Sequence, residues 1–184
     1  MRTAHSPPWR LPVVGVLGSA EEAWEDRAAR VGRWLATQDV HLLTGGGLGV
    51  MESVSRAFHA VPGRKGLVLG ILPRHDMIPN RPRPSYPNRW VEIPVYTHLR
   101  LSGARGTEPM SRNHINVLSS DVLIALPGGL GTASEVELAL QYERPVIAYV
   151  RDRSEISALP EATLIESDFA RVQAFVRARI QLAD

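Results

Sequence analysis

The stretch Leu126-Pro127-Gly128-Gly129-Leu130-Gly131-Thr132-Ala133-Ser134-Glu135 joins an apolar run to an amphipathic one. Residues 122–126, before it, are typical of a buried strand, and residues 136–142, after it, are typical of a helix. The proline and glycines between them predict a tight turn whose backbone N–H groups face outward at the positive end of the helix dipole. Since glycine has no Cβ, an anion can come close to this backbone. The stretch therefore predicts that Gly128, Gly129, Gly131 and Thr132 bind the phosphate of a nucleotide-sized ligand.

A second glycine turn, Gly45-Gly46-Gly47-Leu48-Gly49, has the same form. It follows an apolar run at residues 40–44 and precedes apolar residues at helical spacing. Both turns would lie at the carboxyl ends of their strands, where parallel sheets bind ligands. The residues predicted to bind the same nucleotide from this turn are Gly45, Gly46, Gly47 and Gly49. The alternative is that these glycines only allow a tight crossover from strand to helix.

Strand-like runs alternate with helical runs along the chain. Strands are predicted at residues 13–17, 40–44, 66–72, 91–96, 122–126 and 145–150, with a weaker one at 162–165. Helices are predicted after a Ser19-x-x-Glu22 capping box, over residues 111–119 with Ile115 and Leu118 facing inward, and over residues 168–182. The alternation predicts an α/β fold, a single Rossmann-like, doubly wound parallel sheet with helices on both faces. This nucleotide-binding domain is predicted to span residues 12–184, after a loose tail at residues 1–11.

The composition narrows the class of protein. The chain has 184 residues, of which 44% are apolar, a net charge of +2 and no cysteine. The lack of cysteine excludes disulfides, thiolate catalysis and cysteine-ligated metals, and it fits the cytoplasm. No apolar run has the length of a signal peptide or a membrane span, so a soluble protein without membrane contact is expected. The basic residues form no stripe interleaved with aromatic residues, so nucleic acid is not an expected partner.

Several cofactor and nucleotide motifs are absent from the sequence. There is no G-x-x-x-x-G-K-[ST] or G-x-G-x-x-G motif, and the second strand ends in Thr44-Gly45, without an acid to hold an NAD ribose. The histidines do not have the spacing of metal ligands. A pyridoxal enzyme needs a Schiff-base lysine, and the only lysine, Lys65, lies in a Gly-Arg-Lys-Gly turn. We therefore predict no bound metal and no cofactor.

The motif Pro127-Gly128-Gly129-x-Gly131-Thr132-x-x-Glu135, or PGGxGTxxE, resembles the signature of the Lonely Guy (LOG) family of cytokinin-activating phosphoribohydrolases, which are often mislabelled lysine decarboxylases. The first glycine turn, the position of Arg112 fifteen residues before Pro127, and the Ser120-Asp121 pair agree with this resemblance. Residues 111–116 and 132–135 are more similar to a sister branch that includes the molybdenum cofactor carrier proteins. The resemblance extends over about residues 13–150.

The resemblance to the LOG family implies both an activity and a partner. Arg112 and Glu135 would be the catalytic residues of a hydrolase that splits the N-glycosidic bond of a nucleoside 5′-monophosphate, cytokinin-type or AMP, into free base and ribose 5-phosphate. It also implies a homodimer. The sister branch implies an alternative function, a non-catalytic carrier or sensor of a nucleotide or of the molybdenum cofactor. Only the hydrolase requires Arg112 and Glu135 together in an open cleft.

The residues themselves leave simpler explanations open. Thr132-x-x-Glu135 is also a capping-box pattern, so Glu135 could serve only to begin its helix. Arg112 could be an ordinary surface arginine on a helix. The loop at residues 73–89, which has five prolines and four arginines, could be a solvated loop or a lid over a ligand.

Overall fold

The computed structural model describes residues 10–75, 77–78 and 81–180. Within these ranges the strands are β1 (Val13–Leu17), β2 (His41–Thr44), β3 (Val68–Leu72), β4 (Ile93–Tyr96), β5 (Val122–Ala125), β6 (Val146–Tyr149) and β7 (Leu164–Glu166). The helices are α1 (Glu25–Leu35), α2 (Val50–His59), α3 (Asn113–Leu118), α4 (Leu130–Gln141) and α5 (Phe169–Ile180). Two short 3₁₀ turns, Gly103–Arg105 and Arg153–Glu155, lie in the loops.

The strands form one parallel sheet in the order β4-β3-β2-β1-β5-β6-β7. The chain winds outward from β1 to β4 at one edge, returns to β5 beside β1, and winds outward again to β7. This order confirms the predicted single, doubly wound α/β sheet. Because the winding direction reverses between β1 and β5, a crevice opens at the carboxyl ends of these two strands.

Helices cover both faces of the sheet and account for its continuous apolar strands. On one face α1, α2 and α5 bury residues such as Leu35, Phe58 and Val176 against the sheet. On the other face α3 and α4 bury Val117 and Val136. A strand that is covered on both sides needs apolar residues at successive positions, which explains the unbroken burial of β1 and β5.

The prediction that Ser19 opens a helix is wrong. The hydroxyl of Ser19 does accept the N–H groups of Glu21 and Glu22, at 3.1 and 3.0 Å, but α1 begins only at Glu25. Ser19 cannot start a helix in line with β1 because its own N–H donates to Pro127 O, at 3.1 Å, and its carbonyl accepts Val50 N–H, at 2.9 Å. These two bonds join Ser19 to both glycine turns, so residues 18–24 form a loop beside the crevice.

The inward position predicted for Leu118 is also wrong. Leu118 is 46% exposed, whereas Val117 is fully buried and Ile115 partly buried. The helix is shorter than predicted and ends at Leu118. The side chain of this last residue faces away from the sheet. Only the first predicted strand, residues 13–17, has the predicted ends, and the other six differ by one or two residues at one or both ends.

The predicted N-terminal tail lies mostly outside the described residues, and its boundary at residue 11 stays a prediction. Within the described part, the guanidinium of Arg10 donates to both carboxylate oxygens of Asp121, at 2.8 and 2.6 Å. No helix in the described ranges has both the length and the apolar character needed to cross a membrane.

Candidate functional site

A cleft of about 340 Å³ lies at the carboxyl ends of β1 and β5. Its volume suits a drug-sized or nucleotide-sized ligand. The predicted site residues that line this cleft are Gly45, Arg112, Gly129, Gly131, Thr132 and Glu135. The other predicted residues, which lie in the same turns but do not line the cleft, are Gly46, Gly47, Gly49 and Gly128.

The turn before α4 presents backbone donors to this cleft. Gly129 is the N-cap of α4, a helix of 12 residues. The N–H of Gly128 donates to Glu155 O, at 2.9 Å, and the N–H of Thr132 donates to Gly129 O, at 3.0 Å. The N–H groups of Gly129, Leu130 and Gly131 have no acceptor within the described residues. Three such donors at the positive end of a helix dipole favour an anion.

The first glycine turn shapes one wall of the cleft. Gly49 has a φ of 63°, and a side chain there would meet the carbonyl of Ser19. Gly45 packs against the guanidinium of Arg112, with no room for a methyl group between them. Because these segments approach each other so closely, glycine is needed at positions 45 and 49 whether or not a ligand binds.

We predict that Gly45→Ala displaces the guanidinium of Arg112, because a Cβ at this position would overlap both of its terminal nitrogens. Crowding a buried site in this way costs about 1–3 kcal/mol. Urea unfolding should therefore give a lower midpoint for the variant. Gly129→Ala is the comparison without crowding, since a Cβ at Gly129 has no atom within 4 Å. Alanine is a weaker N-cap than glycine, so this variant should lose only the smaller cap contribution of about 0.5–1 kcal/mol. Equal unfolding midpoints for the two variants would contradict the close packing at Gly45.

Arg112 is a buried residue of the cleft wall and not a surface arginine. It is 5% exposed, and it precedes α3 as the N-cap. Its Nη1 donates to Ile71 O at the end of β3, at 2.7 Å, and its guanidinium lies 5.8 Å from the ring centre of Tyr86. Its Nε is buried and has no acceptor within the described residues. A buried cation with an unsatisfied donor at a cleft is favourable for an anionic ligand.

Glu135 is partly buried in the same cleft, and its Oε1 accepts Nδ2 of Asn116 at 2.7 Å. Burial raises the pKa of Glu135 above the ordinary carboxyl value, although the charge of Arg112 and the hydrogen bond from Asn116 oppose the shift. The electrostatic influence of Arg112 on Glu135 joins the two residues in one site. A carboxyl group with a perturbed pKa in a cleft is a frequent mark of a functional site.

The capping-box explanation of Glu135 is wrong. The N-cap of α4 is Gly129, three residues before Thr132, and no side chain caps this helix. Glu135 therefore lies inside the helix, one turn beyond its start, and its carboxylate bonds to Asn116 of α3. The residue is not needed to begin the helix.

Two residues of the site were not predicted from the sequence. Asn116 lies four residues after Arg112, so the helical spacing could have placed both beside α4. Tyr86 lies in the proline- and arginine-rich loop and reaches the cleft. Asn88 of this loop donates its N–H and its Nδ2 to the carbonyls of Gly46 and Gly47, both at 2.8 Å. The loop is therefore anchored to the first glycine turn and is not simply solvated.

Among the described residues, no group of three or more histidine, aspartate or glutamate side chains is arranged to hold a metal ion. The charged side chains that line the cleft are those of Arg112, Glu21 and Glu135. The backbone N–H donors of the turn before α4 and the guanidinium of Arg112 suit an anionic organic ligand.

The fold and the position of the cleft define an α/β protein of the Rossmann type with a ligand cleft at its switch point. The family model described as the SLOG cluster4 family matches residues 11–175, and the chain belongs to this family. This match, together with the similarities to LOG5 and to molybdenum cofactor carrier proteins given below, confirms the predicted resemblance to the Lonely Guy superfamily with features of the carrier branch.

Solved structures of molybdenum cofactor proteins are similar to this chain over nearly its whole length. The carrier protein of Chlamydomonas reinhardtii has 30% identity and a TM-score of 0.67, over 94% of this chain and 99% of the other. The molybdenum cofactor binding protein of the phototrophic bacterium Rippkaea orientalis has 32% identity and a TM-score of 0.67, over 92% and 98% of the two chains.

Two further relatives are similar in sequence. A protein of Archaeoglobus fulgidus is 35% identical over 135 residues, which are 72% of this chain and 76% of the other. The cytokinin riboside 5′-monophosphate phosphoribohydrolase LOG5 of Arabidopsis thaliana is 32% identical over 123 residues, 66% of this chain but only 46% of that enzyme.

Proposed function

We propose that this protein binds a nucleoside 5′-monophosphate in the cleft between β1 and β5 and hydrolyses its N-glycosidic bond. The products are free base and ribose 5-phosphate. The main support for the proposal is the carboxyl group of Glu135, which is partly buried in the cleft near Arg112. It lies about one helical turn from the N–H groups of Gly129, Leu130 and Gly131, which have no acceptor among the described residues. The similarity to LOG5 supports the same reaction.

The phosphate would be held by the N–H groups of Gly129, Leu130 and Gly131. These donors are fixed by the start of α4 and need no rearrangement to meet an anion. The guanidinium of Arg112, which lines the cleft, would add a charge-assisted bond once a ligand supplies an acceptor. Gly45 supports this arrangement because it has no Cβ, which leaves room for the guanidinium beside it.

Glu135 would act on the sugar next to the phosphate. As the bond between C1′ and the base nitrogen breaks, positive charge develops on the ribose, and an ionised carboxylate stabilises it. Water adds to C1′, and the base leaves with a proton. Because burial raises the pKa of Glu135, its ionised fraction increases through a higher pH range than usual, and turnover should increase with it.

The direct test is incubation with a panel of nucleoside 5′-monophosphates, including AMP and isopentenyl-AMP, with chromatographic detection of free base. The proposal requires base release from at least one nucleotide. The matched control is the corresponding nucleoside, which lacks the phosphate and should be cleaved far more slowly. Binding without base release from any nucleotide would reject the hydrolase.

The second candidate function is a non-catalytic carrier or sensor, and the similarity to molybdenum cofactor carriers over nearly the whole chain favours it. Such a protein would use the same N–H groups for the phosphate of its ligand, without hydrolysis. Base release separates the two functions. The cytoplasmic location and the lack of a nucleic-acid partner stay predictions.

We also propose a homodimer formed through the helices that follow the glycine turns, α2 and α4, together with α3, which packs against α4. Leu118, at the end of α3, is 46% exposed, and burial at a partner would remove this apolar surface from water. Light scattering should give close to twice the chain mass of 20.3 kDa. Leu118→Arg should shift the protein towards the monomer. A wild-type monomer at micromolar concentration would contradict this proposal.

A further inference from the structure

A second cavity, of about 240 Å³, lies beyond the ends of β3 and β4, away from the crevice between β1 and β5. Within the described ranges, the lining of this cavity has no residue in common with that of the cleft described above. Its wall carries cationic, aromatic and proline side chains, which include Arg74, Arg81, Tyr96, His98, Pro73 and Pro82. Among the residues that the structure describes, no carboxylate lines it.

The two arginines of this cavity differ from most other arginines of the protein in their side-chain interactions. Arg27 and Arg64, for example, donate to Glu155 and Glu92 at 2.6 and 2.8 Å. Arg74 and Arg81 have no side-chain hydrogen bond, ion pair or ring contact within the part of the chain that the structure describes. The Nε of Arg74 is buried as well, so this donor has lost water without gaining an acceptor. Leaving a charged group under-satisfied is costly, and a ligand in the cavity that offers oxygen atoms to the guanidinium of Arg74 would offset part of this cost.

The backbone holds Arg74 and Arg81 on opposite sides of one loop. Arg74 pairs with Pro82 as an isolated antiparallel bridge, and the N–H of His75 donates to Arg81 O at 2.7 Å. The N–H of Arg74 donates to Leu99 O, at 2.9 Å, which joins this loop to the segment after β4. Two guanidinium groups are thereby held near one cavity before any ligand arrives, which lowers the entropy that binding must overcome.

We propose that this cavity is a second anion site, which takes the phosphate group of a small molecule independently of the nucleotide cleft. Arginine binds phosphate through two parallel N–H···O bonds, and two arginines with a nearby histidine match a tetrahedral, doubly charged group. The cavity is too small for a stretch of nucleic acid, and its described lining has no row of aromatic residues on which bases could stack. The ligand is therefore a compact phosphorylated metabolite or free phosphate.

The test is titration with inorganic phosphate, followed by calorimetry at low ionic strength and by crystals soaked in phosphate. The wild type should bind phosphate at both places. Arg74→Gln/Arg81→Gln should remove the phosphate at β3 and β4 and keep that at the cleft. Gly129→Asp, which places a carboxylate at the cleft turn, should do the reverse. If the wild type and the double-arginine variant bind phosphate with equal stoichiometry and affinity, the second site does not exist.

The failure of one site can be distinguished from the failure of the other. Loss of all phosphate binding in Gly129→Asp would leave only the cleft and overturn this inference. Retention of phosphate in Gly129→Asp but not in Arg74→Gln/Arg81→Gln would support the second site and argue against the cleft. Arg74→Lys/Arg81→Lys keeps both charges but not the paired N–H donors, so it should bind phosphate at this cavity more weakly than the wild type and more tightly than the double glutamine variant. If the double glutamine variant does not fold, the test uses the single variant Arg81→Gln, because the side chain of Arg81 is exposed. Its affinity for phosphate at this cavity should fall by about tenfold.

Discussion

Glu135→Gln should abolish most of the turnover of a cleavable nucleotide while leaving the affinity for that nucleotide nearly unchanged. Glutamine has the size of glutamate and can still bond to Asn116, but it cannot stabilise positive charge on the ribose. The expected fall in kcat is on the order of a hundredfold, which corresponds to about 3 kcal/mol acting only in the transition state. Affinity should be preserved because the phosphate is bound by Gly129, Leu130, Gly131 and Arg112 in this proposal.

The same variant should be more stable than the wild type at neutral and higher pH. Burial raises the pKa of Glu135 in the folded protein, so ionising this carboxyl costs more in the folded state than in the unfolded chain. The free energy of unfolding of the wild type therefore falls as pH rises from the ordinary carboxyl pKa through the raised one, and stays lower above it. Glutamine does not titrate. The melting temperatures of the two proteins should converge near pH 4 and separate towards pH 8.

Glu137→Gln is the matched control for both measurements. Glu137 lies two residues along the same helix, is exposed, and does not line the cleft. This change removes the same charge from α4 and should alter neither turnover nor the pH dependence of stability. If Glu135→Gln cleaves as fast as the wild type, Glu135 is not catalytic. If it instead unfolds readily at pH 7, the carboxylate has a structural role that the hydrogen bonds do not reveal.

The architecture could be predicted because its causes are local in the sequence. Continuous apolar runs such as Val122–Ala125 mark strands covered on both faces, and the glycine turns mark the points where these strands lead into helices. The same turns, together with Arg112 and Glu135, predicted where the cleft would lie. These features are the same in the sequence-based prediction and in the structure because each depends on a few neighbouring residues.

The details that could not be predicted depend on contacts between distant segments. Ser19 looked like a helix start, but its bonds to Pro127 and Val50 hold it in a loop. The sequence pattern was compatible with Glu135 as part of a capping box, but α4 begins three residues earlier, after its N-cap Gly129. Glu135 therefore lies within the helix, where its carboxylate bonds to Asn116. Tyr86 reaches the cleft because its loop is anchored to Gly46 and Gly47, a contact over about forty residues of sequence.

Gly129→Asp should raise the stability of the protein and remove phosphate binding in the cleft at the same time. Gly129 is the N-cap of α4 with a φ of −96°, a conformation open to any residue, and a side chain there meets no other atom within 4 Å. Aspartate is among the best N-cap residues, and its carboxylate could accept the N–H of Gly131. Relative to glycine, aspartate should raise the free energy of unfolding by a few tenths of a kcal/mol to about 1 kcal/mol. Part of this increase comes from the interaction of its charge with the helix dipole.

The same carboxylate would occupy the place of the phosphate and repel it. Affinity for a nucleoside monophosphate should fall by on the order of a hundredfold or more, or about 3 kcal/mol, when it is measured by calorimetry. Gly129→Ala separates the two causes, since it adds a Cβ without a charge and should keep most of the affinity. A Gly129→Asp protein that is more stable yet binds as tightly as the wild type would mean that the ligand phosphate lies elsewhere. Aspartate at this N-cap would make the protein more stable, but it would also exclude an anion from the turn. Glycine at this position is therefore consistent with a turn that binds the anion of a ligand.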